Sequence, residues 1–432
     1  MQPADQLAVQ LAAWRPLLVG GAVRDPLLGE SPQDRDWLLV GVSPETLKAF
    51  GFLQVGRDFS VFLHPYSHEQ YALPRSGVDR TLPPLRQVEE DLKRRDLTLN
   101  ALALTPEGAL IDPCGGAQDI AQRLLRPTPH FAEDPLRVLR LARLYARYRH
   151  LGFRITAEGV QLARSLSASA LLTELPPERV YQELEAGITG RDPACFIATL
   201  RELGALAALL PEVERLWGVP QPPAHHPEVD TGAHLLLTVT QAAQLSPDAD
   251  VRFAAMLHDL GKGLTPPAEW PSHHGHEAAG VRPIRTLCQR LRVPKAVREL
   301  ALLTARYHLH AHRIALLRSK TQLKLLLALD ALRRPERFAR FLLACEADSR
   351  GRSGYAERPY PQADYLQQLQ RALAAVDGGH IAAEVSDREQ IPQQLRSAQL
   401  RALAAVTLPP ALANTASQNQ PSLPKIFHEE NK

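Results

Sequence analysis

Cysteine is scarce. Cys114, Cys195, Cys288 and Cys345 are scattered over 432 residues with no CxxC spacing. That spacing excludes a disulfide framework or a cysteine zinc site, and reads as reduced thiols of a cytoplasmic protein. Long hydrophobic runs are missing too. No stretch of about 18 apolar residues occurs, so no membrane span is expected. The opening MQPADQLAVQLAAWRP has an acid and no basic stretch ahead of its apolar residues, which argues against a signal peptide. Internal repeats are absent. Net charge is only +3, too little to argue for a nucleic-acid partner by itself.

What is present fits a soluble globular chain, with 45% hydrophobic and 22% charged residues. The length suggests two to four domains. Arginine dominates over lysine and clusters between Arg94 and Arg154. Its planar fork suits phosphates and base edges, although any single one reads as a solvated helix face. Residues 17–126 mix short apolar strands (17–19, 37–42) with turns, as in an α/β or α+β head. From Asp134 the apolar residues of DPLRVLRLARLYARYRHLGF recur at helical spacing, and helices are expected to about residue 403. GVPQPPAHHPE (218–228) reads as a linker or ordered loop. The polar, proline-interrupted stretch 404–432 reads as disordered.

Two features of the head suggest chemistry. In LLVGGAVRDPLLG, Gly20 and Gly21 lie between a strand and a helix, a turn that lets backbone N–H groups approach a triphosphate. Arg24, within one helical turn, could meet a phosphate. In DRDW, Asp34 and Asp36 would share one face of an extended strand, where two like carboxylates call for a cation between them. Either motif alone is as easily an ordinary turn. Together they occur in order with DLKRRDLTLNALA (91–103), IDPCGG (111–116), EDPLRVLRLAR (133–143) and ERVYQEL (178–184).

This series resembles the class II, bacterial-type tRNA nucleotidyltransferases from about Leu17 to about residue 403. The resemblance implies an α/β (α+β) nucleotidyltransferase head over 1–126 and a helical nucleotide-recognition or neck region over 127–217. It implies tRNA, CTP and ATP as partners, and two-metal chemistry with Mg2+ on Asp34 and Asp36. By the same resemblance Gly21, Arg24 and Arg95 hold the nucleotide, Asp96 and Asn100 support its sugar and phosphates, and Asp134 with Arg137 reads the base. Arg140 and Arg143 match further nucleotide contacts. Independently, Asp can accept from the exocyclic amino group of C or A, Arg can donate to ring acceptors, and i,i+3 residues share a helix face. One departure concerns SGVDRTLPPLRQV (76–88). Relatives carry a longer flexible segment there, with a Gly/aromatic pattern linked to switching from CTP to ATP. Relatives that add only CC have shortened it.

A second series follows: HHPEVDTGAHLLLT, RFAAMLHDLGKG, HHGHE and ARYHLHAH. Imidazole and carboxylate together bind divalent metals. His234, the His258–Asp259 pair and His274 or His276 resemble the HD phosphohydrolase superfamily. That implies an HD domain over 218–330, helices over 331–403, and a divalent metal held by His234, His258, Asp259 and His276. Phosphatase and cyclic phosphodiesterase activity would follow. The pattern usually ends in an Asp after the late His, where this chain has Leu309; His308, His310 or His312 are the available substitutes.

Overall fold

The computed structural model describes residues 3–32, 34–55 and 61–413. They form two compact units: residues up to 190 with 195–209, and 191–194 with the chain from 210 onward.

Among the described residues, the first unit holds a seven-stranded sheet. Its strands are β1 (Leu17–Val19), β2 (Asp36–Leu38), β3 (Leu53–Val55), β4 (Val61–Leu63), β5 (Gln70–Ala72), β6 (Ala103–Leu104) and β7 (Leu110–Ile111). The order is β3-β4-β5-β2-β1-β6-β7, and only β2 and β5 run parallel. Side chains alternate across the sheet, so neighbouring apolar residues enter different cores. Leu38 packs with Val19, Val88, Leu92, Ala101 and Ala103. The next residue, Leu39, packs with Leu47, Phe52, Phe62, Tyr71 and Leu73. Each such leucine contributes about 1.5–3 kcal/mol by burial. The expected strand over 37–42 is shorter than its apolar run, because Leu39 and Val40 pack into cores beyond the paired residues.

Beyond the sheet the same unit is helical. Helix Arg137–Tyr148 buries Val138, Leu139, Leu141, Ala142 and Leu144, leaving arginines on its other side, and helix Pro177–Ile188 packs against it. The second unit is helical among its described residues. Helices Thr231–Leu245, Ala249–Leu257, Lys295–His312 and Pro335–Arg350 pack on one another, joined by the short helix His276–Ala279. The loop over 218–228 is ordered: Gln221 is buried, and its N–H donates to the Val229 carbonyl at 2.7 Å. The stretch read as a disordered tail begins folded, since helix Ile391–Ala404 is followed by a buried Leu412. The remainder, 414–432, lies outside the described residues.

Candidate active site and candidate metal centre

Strand register builds the head site. Asp36 opens β2 and pairs with Val19, the last residue of β1. The chain then turns at Gly20, whose φ of +66° suits glycine, into helix Gly21–Leu27. Asp36 therefore stands beside the Gly20–Gly21 turn. Asp34 lies exposed in the bend before β2, two residues ahead of the strand on which it was expected. Burial raises the Asp36 pKa above the ordinary 3.8, Arg95 opposes that rise, and Asp34 adds to it. A half-buried carboxylate repelled by a second one is a site that a cation relieves.

Arg95 supplies the fixed positive charge. A Cβ at Gly20 would come within 3.0 Å of its Nη1, so its guanidinium lies against the turn. It also lies 3.4 Å from Asp91 Oδ2. Arg24, expected to meet a phosphate, is buried instead. Its Nε donates to Asp25 Oδ1 at 2.8 Å, its Nη1 donates to Asn100 Oδ1, and its guanidinium lies 5.2 Å over the Tyr148 ring. Asn100 donates to Asp96 Oδ1 at 2.9 Å, and Arg140 Nε donates to Asp96 Oδ2 at 2.8 Å. Burial disfavours the Asp96 carboxylate, but Arg140 and Asn100 outweigh it and hold its pKa well below the usual range. Arg24, Asn100 and Asp96, all buried, and the partly exposed Arg140 thus form one hydrogen-bonded brace.

The ED-x-x-R pair departs from its expected geometry. Asp134 is extended (φ −135°, ψ 104°) and precedes the helix that starts at Arg137, because a residue before proline is pushed out of helical backbone and Pro135 follows it. Asp134 and Arg137 therefore do not share a helix face. Asp134 Oδ1 accepts from the Leu136 N–H at 3.2 Å, and Oδ2 accepts from Arg179 Nη2 at 2.7 Å. Arg137 donates to the carbonyls of His130 (2.5 Å) and Arg94 (2.6 Å). Arg140 Nη1 and Arg143 Nε both donate to Glu183, at 3.0 and 2.8 Å. Sequence reasoning quoted ERVYQEL but singled out neither Arg179 nor Glu183.

In the second unit four imidazoles converge. The Nδ1 atoms of His258, His276 and His308 lie 2.8, 2.7 and 3.0 Å from the carbonyls of Ala255, His273 and Ala305. His234 Nδ1 is 3.0 Å from both the Gly351 carbonyl and Glu228 Oε1. In a neutral imidazole, a carbonyl neighbour places the proton on Nδ1 and leaves Nε2 as a lone-pair donor. Beside a set formed by His226, Glu228 and His234, two further sets of three ligand atoms result among the described residues: His234, His258 and Asp348; and Asp259, His276 and His308. Asp259 faces both, with Oδ2 3.2 Å from His258 Nε2 and Oδ1 3.3 Å from His276 Nε2. His258 Nε2 and Asp259 Oδ1 are buried without completing a hydrogen bond, which suits ligands of a metal. Burial opposes protonation of His258, but Asp259 and Asp348 prevail and hold its pKa up at about 10.

Gly261 of HDLGK is there for close approach, since a Cβ would fall 1.9 Å from the His276 carbonyl. Lys262 Nζ reaches Asp259 Oδ2 and Gln221 Oε1, each at 2.6 Å. His276 belongs to the cluster, whereas His274 is exposed. No acid stands at Leu309, but Asp348 of helix Pro335–Arg350 lies among the candidate ligand atoms. Its Oδ2 is 2.6 Å from His312 Nε2, and His312 Nδ1 is 2.9 Å from the Tyr360 hydroxyl. Asp348 and Glu228 were not assigned from the sequence, and His308 was one of three possible substitutes; the HHPEVD segment and the late His run were the available signals.

Comparison with known proteins identifies the domains that carry these residues. Residues 17–126 match the poly A polymerase head domain, 152–216 the probable RNA and SrmB-binding site of polymerase A, and 231–350 the HD domain. The HD match therefore includes the helix carrying Asp348. The multifunctional CCA protein of Thioalkalivibrio sulfidiphilus is 51% identical over 397 residues, covering 89% of this chain and 97% of that protein. The crystal structure of the Bacillus stearothermophilus CCA-adding enzyme in complex with CTP superposes with a TM-score of 0.61 at 24% identity, covering 92% of each chain. The Thermotoga maritima CCA-adding enzyme complexed with tRNA gives 0.55 at 18% identity, covering 97% of this chain and 93% of that one. These two likenesses concern the fold alone. The head fold, the HD domain and half-identity over most of the chain lead to one conclusion: this chain belongs to the multifunctional CCA protein family, tRNA nucleotidyltransferases that carry an HD domain.

Proposed function

We propose that the protein builds or repairs the 3′-terminal CCA of tRNA from CTP and ATP without a nucleic-acid template. The observation that carries this reading is the strand register that sets Asp36 beside the Gly20–Gly21 turn, with Asp34 close enough to raise its pKa. The tRNA 3′-hydroxyl oxygen attacks the α-phosphorus of the nucleotide, and the bond to pyrophosphate breaks as the new P–O bond forms. Mg2+ held by Asp34 and Asp36 would activate that hydroxyl and neutralise charge on the phosphates. Arg95 supplies a cation at the turn. Asp134 accepts from the exocyclic amino group shared by C and A, and Arg137 donates to their ring nitrogen. The free, mostly buried cysteines suit a cytoplasmic setting. Gel-resolved extension of tRNAs lacking C, CC or CCA, with CTP, ATP or both, tests the reading; no extension by either nucleotide sinks it.

Base selection follows from the same geometry. Asp134→Ala or Arg137→Ala should raise UTP and GTP misincorporation about 10- to 100-fold, since a good bidentate base contact is worth roughly 1–3 kcal/mol. Unchanged selectivity would remove both from the template role.

The short segment 76–88 favours attention to the alternative that only CC is added. Val78 is buried, and Gln87 Nε2 donates to the carbonyls of Arg80 (3.1 Å) and Leu82 (2.7 Å). Arg75 is paired with Asp91 at 2.8 Å, and Pro83 and Pro84 restrict φ. A segment tied at these points has little freedom to reorient the base-reading residues between CTP and ATP. We expect complete CCA addition with a slow final A. Transfer of A to a tRNA ending in CC should be less efficient than transfer of C to a tRNA ending at the discriminator base. Equal efficiency refutes the loop argument, and no A at all makes the protein a CC-adding enzyme.

The HD centre supports a second activity. His234, His258, Asp259, Asp348, His276 and His308 offer ligands for a divalent metal, which would polarise a phosphate ester and lower the pKa of a bound water. We propose phosphatase or cyclic phosphodiesterase activity there.

A further inference from the structure

The base-reading residues have separate supports, and one support is unassigned. Arg137 is held by two backbone carbonyls, those of Arg94 and His130. Asp134 stands outside its helix, so helical backbone does not fix its side chain. Its two oxygens are instead held by different groups: Oδ1 by the Leu136 N–H, Oδ2 by the Arg179 guanidinium at 2.7 Å. Arg179 and Glu183 lie four residues apart on helix Pro177–Ile188, hence on one face. Glu183 from that face also holds Arg140 and Arg143. A single helical face therefore brackets both Asp134 and the second turn of helix Arg137–Tyr148.

We propose that Arg179 is a positioning residue for nucleotide selection. It fixes the Asp134 carboxylate so that a remaining lone pair faces the amino group of the incoming base. This inference rests on the base-reading role of Asp134 proposed above. The chemistry asks for such a fixture. C and A present an exocyclic N–H donor next to a ring-nitrogen acceptor; U and G present a carbonyl next to a ring N–H. Only a carboxylate held as an ionised acceptor, at a defined angle, separates the two classes. A freely rotating one could turn away from a carbonyl and tolerate the wrong base. The Arg179 and Asp134 side chains are 34% and 28% exposed, and ion pairs so placed add little to stability. The contribution of Arg179 is therefore orientation, and its removal leaves the protein folded.

The support is asymmetric, and the test uses that. In the full-length protein, kcat and KM are measured for single additions of CTP and UTP to tRNA ending at the discriminator base, and of ATP and GTP to tRNA ending in CC. The variants are Arg179→Ala, Arg179→Lys, Asp134→Ala and the Arg179→Ala/Asp134→Ala double, with thermal melts as controls. Arg179→Ala should lower the C-over-U and A-over-G preference about tenfold, the low end of one bidentate base contact, through loss of kcat/KM for the correct nucleotides. Arg179→Lys should recover part of it. In the Asp134→Ala background, Arg179→Ala should change selectivity no further. The proposal is overturned if Arg179→Ala slows all four nucleotides equally, or if its effect on selectivity persists without Asp134. If Asp134→Ala itself keeps full selectivity, the base-reading assignment falls and takes the proposal with it. If Asp134→Ala blurs selectivity and Arg179→Ala does not, only the proposal falls.

Discussion

Asp36→Asn should abolish nucleotide addition while the protein stays folded and still binds tRNA. Asparagine keeps the size and the strand but removes the charge that a metal ion needs. Metal-assisted activation and charge neutralisation supply several kcal/mol to reactions of this class, so the loss should be on the order of 10³-fold or more. Stability should move the other way. Burial and Asp34 raise the folded-state pKa of Asp36 above 3.8, so ionising it costs the metal-free fold free energy. That cost sets in as pH rises past the unfolded carboxylate value and persists at neutral pH. Asp36→Asn removes it, and the Tm of the metal-free protein at neutral pH should be equal or higher. Single-turnover extension, melting curves and tRNA filter binding read all three. Extension near the wild-type rate would show that Asp36 is not a metal ligand of the reaction.

The sequence exposed what depends on local chemistry and hid what depends on distant packing. The Gly20–Gly21 turn and Asp36 on its strand were legible because a turn and a strand are local, whereas Asp34, expected on the same strand face, lies in the bend before it. The helical run after Asp134 was equally legible from its period. Its first residue was misplaced because Pro135 was read as part of the periodic run, although proline forces its predecessor into extended backbone. Arg24 was expected at a phosphate because it follows the glycine turn. Whether it faces outward depends on Asn100 and Tyr148, residues far along the chain that accept and cover its guanidinium. The HD centre shows the same division. The adjacent His258–Asp259 pair announces itself. Asp348 does not, because helix Ser319–Ala328 separates it from the late histidines and only packing returns it to them.

His258→Ala and Asp259→Ala should each remove the phosphohydrolase activity proposed for the HD centre and leave CCA addition intact. His258 Nε2 lies 3.5 Å from Asp348 Oδ1 and 3.2 Å from Asp259 Oδ2, so it faces both carboxylates of the centre. Removing a residue that only orients a ligand costs about 10- to 100-fold in metal affinity or activity; removing a ligand itself should cost more. Asp259 faces both sets of ligands, so its loss should be at least as severe. The pH dependence carries a sign. The two carboxylates hold His258 at a pKa of about 10, so in the metal-free protein it carries a proton at neutral pH. Its pairing contributes stability present below about pH 6.5 and lost as pH rises through about 10. A metal must displace that proton from Nε2, so affinity should increase with pH through neutrality and binding should release protons. Calorimetric titration with divalent metals in buffers of different ionisation enthalpy measures the release, and elemental analysis gives the metal content. Hydrolysis of 4-nitrophenyl phosphate and of a 2′,3′-cyclic nucleotide reports the activity, alongside extension of truncated tRNA. The Asp34 and Asp36 site shares no residue with this centre. Loss of CCA addition in a folded His258→Ala protein would therefore show that the two activities depend on each other, and wild-type hydrolysis in that variant would show that the centre is not catalytic.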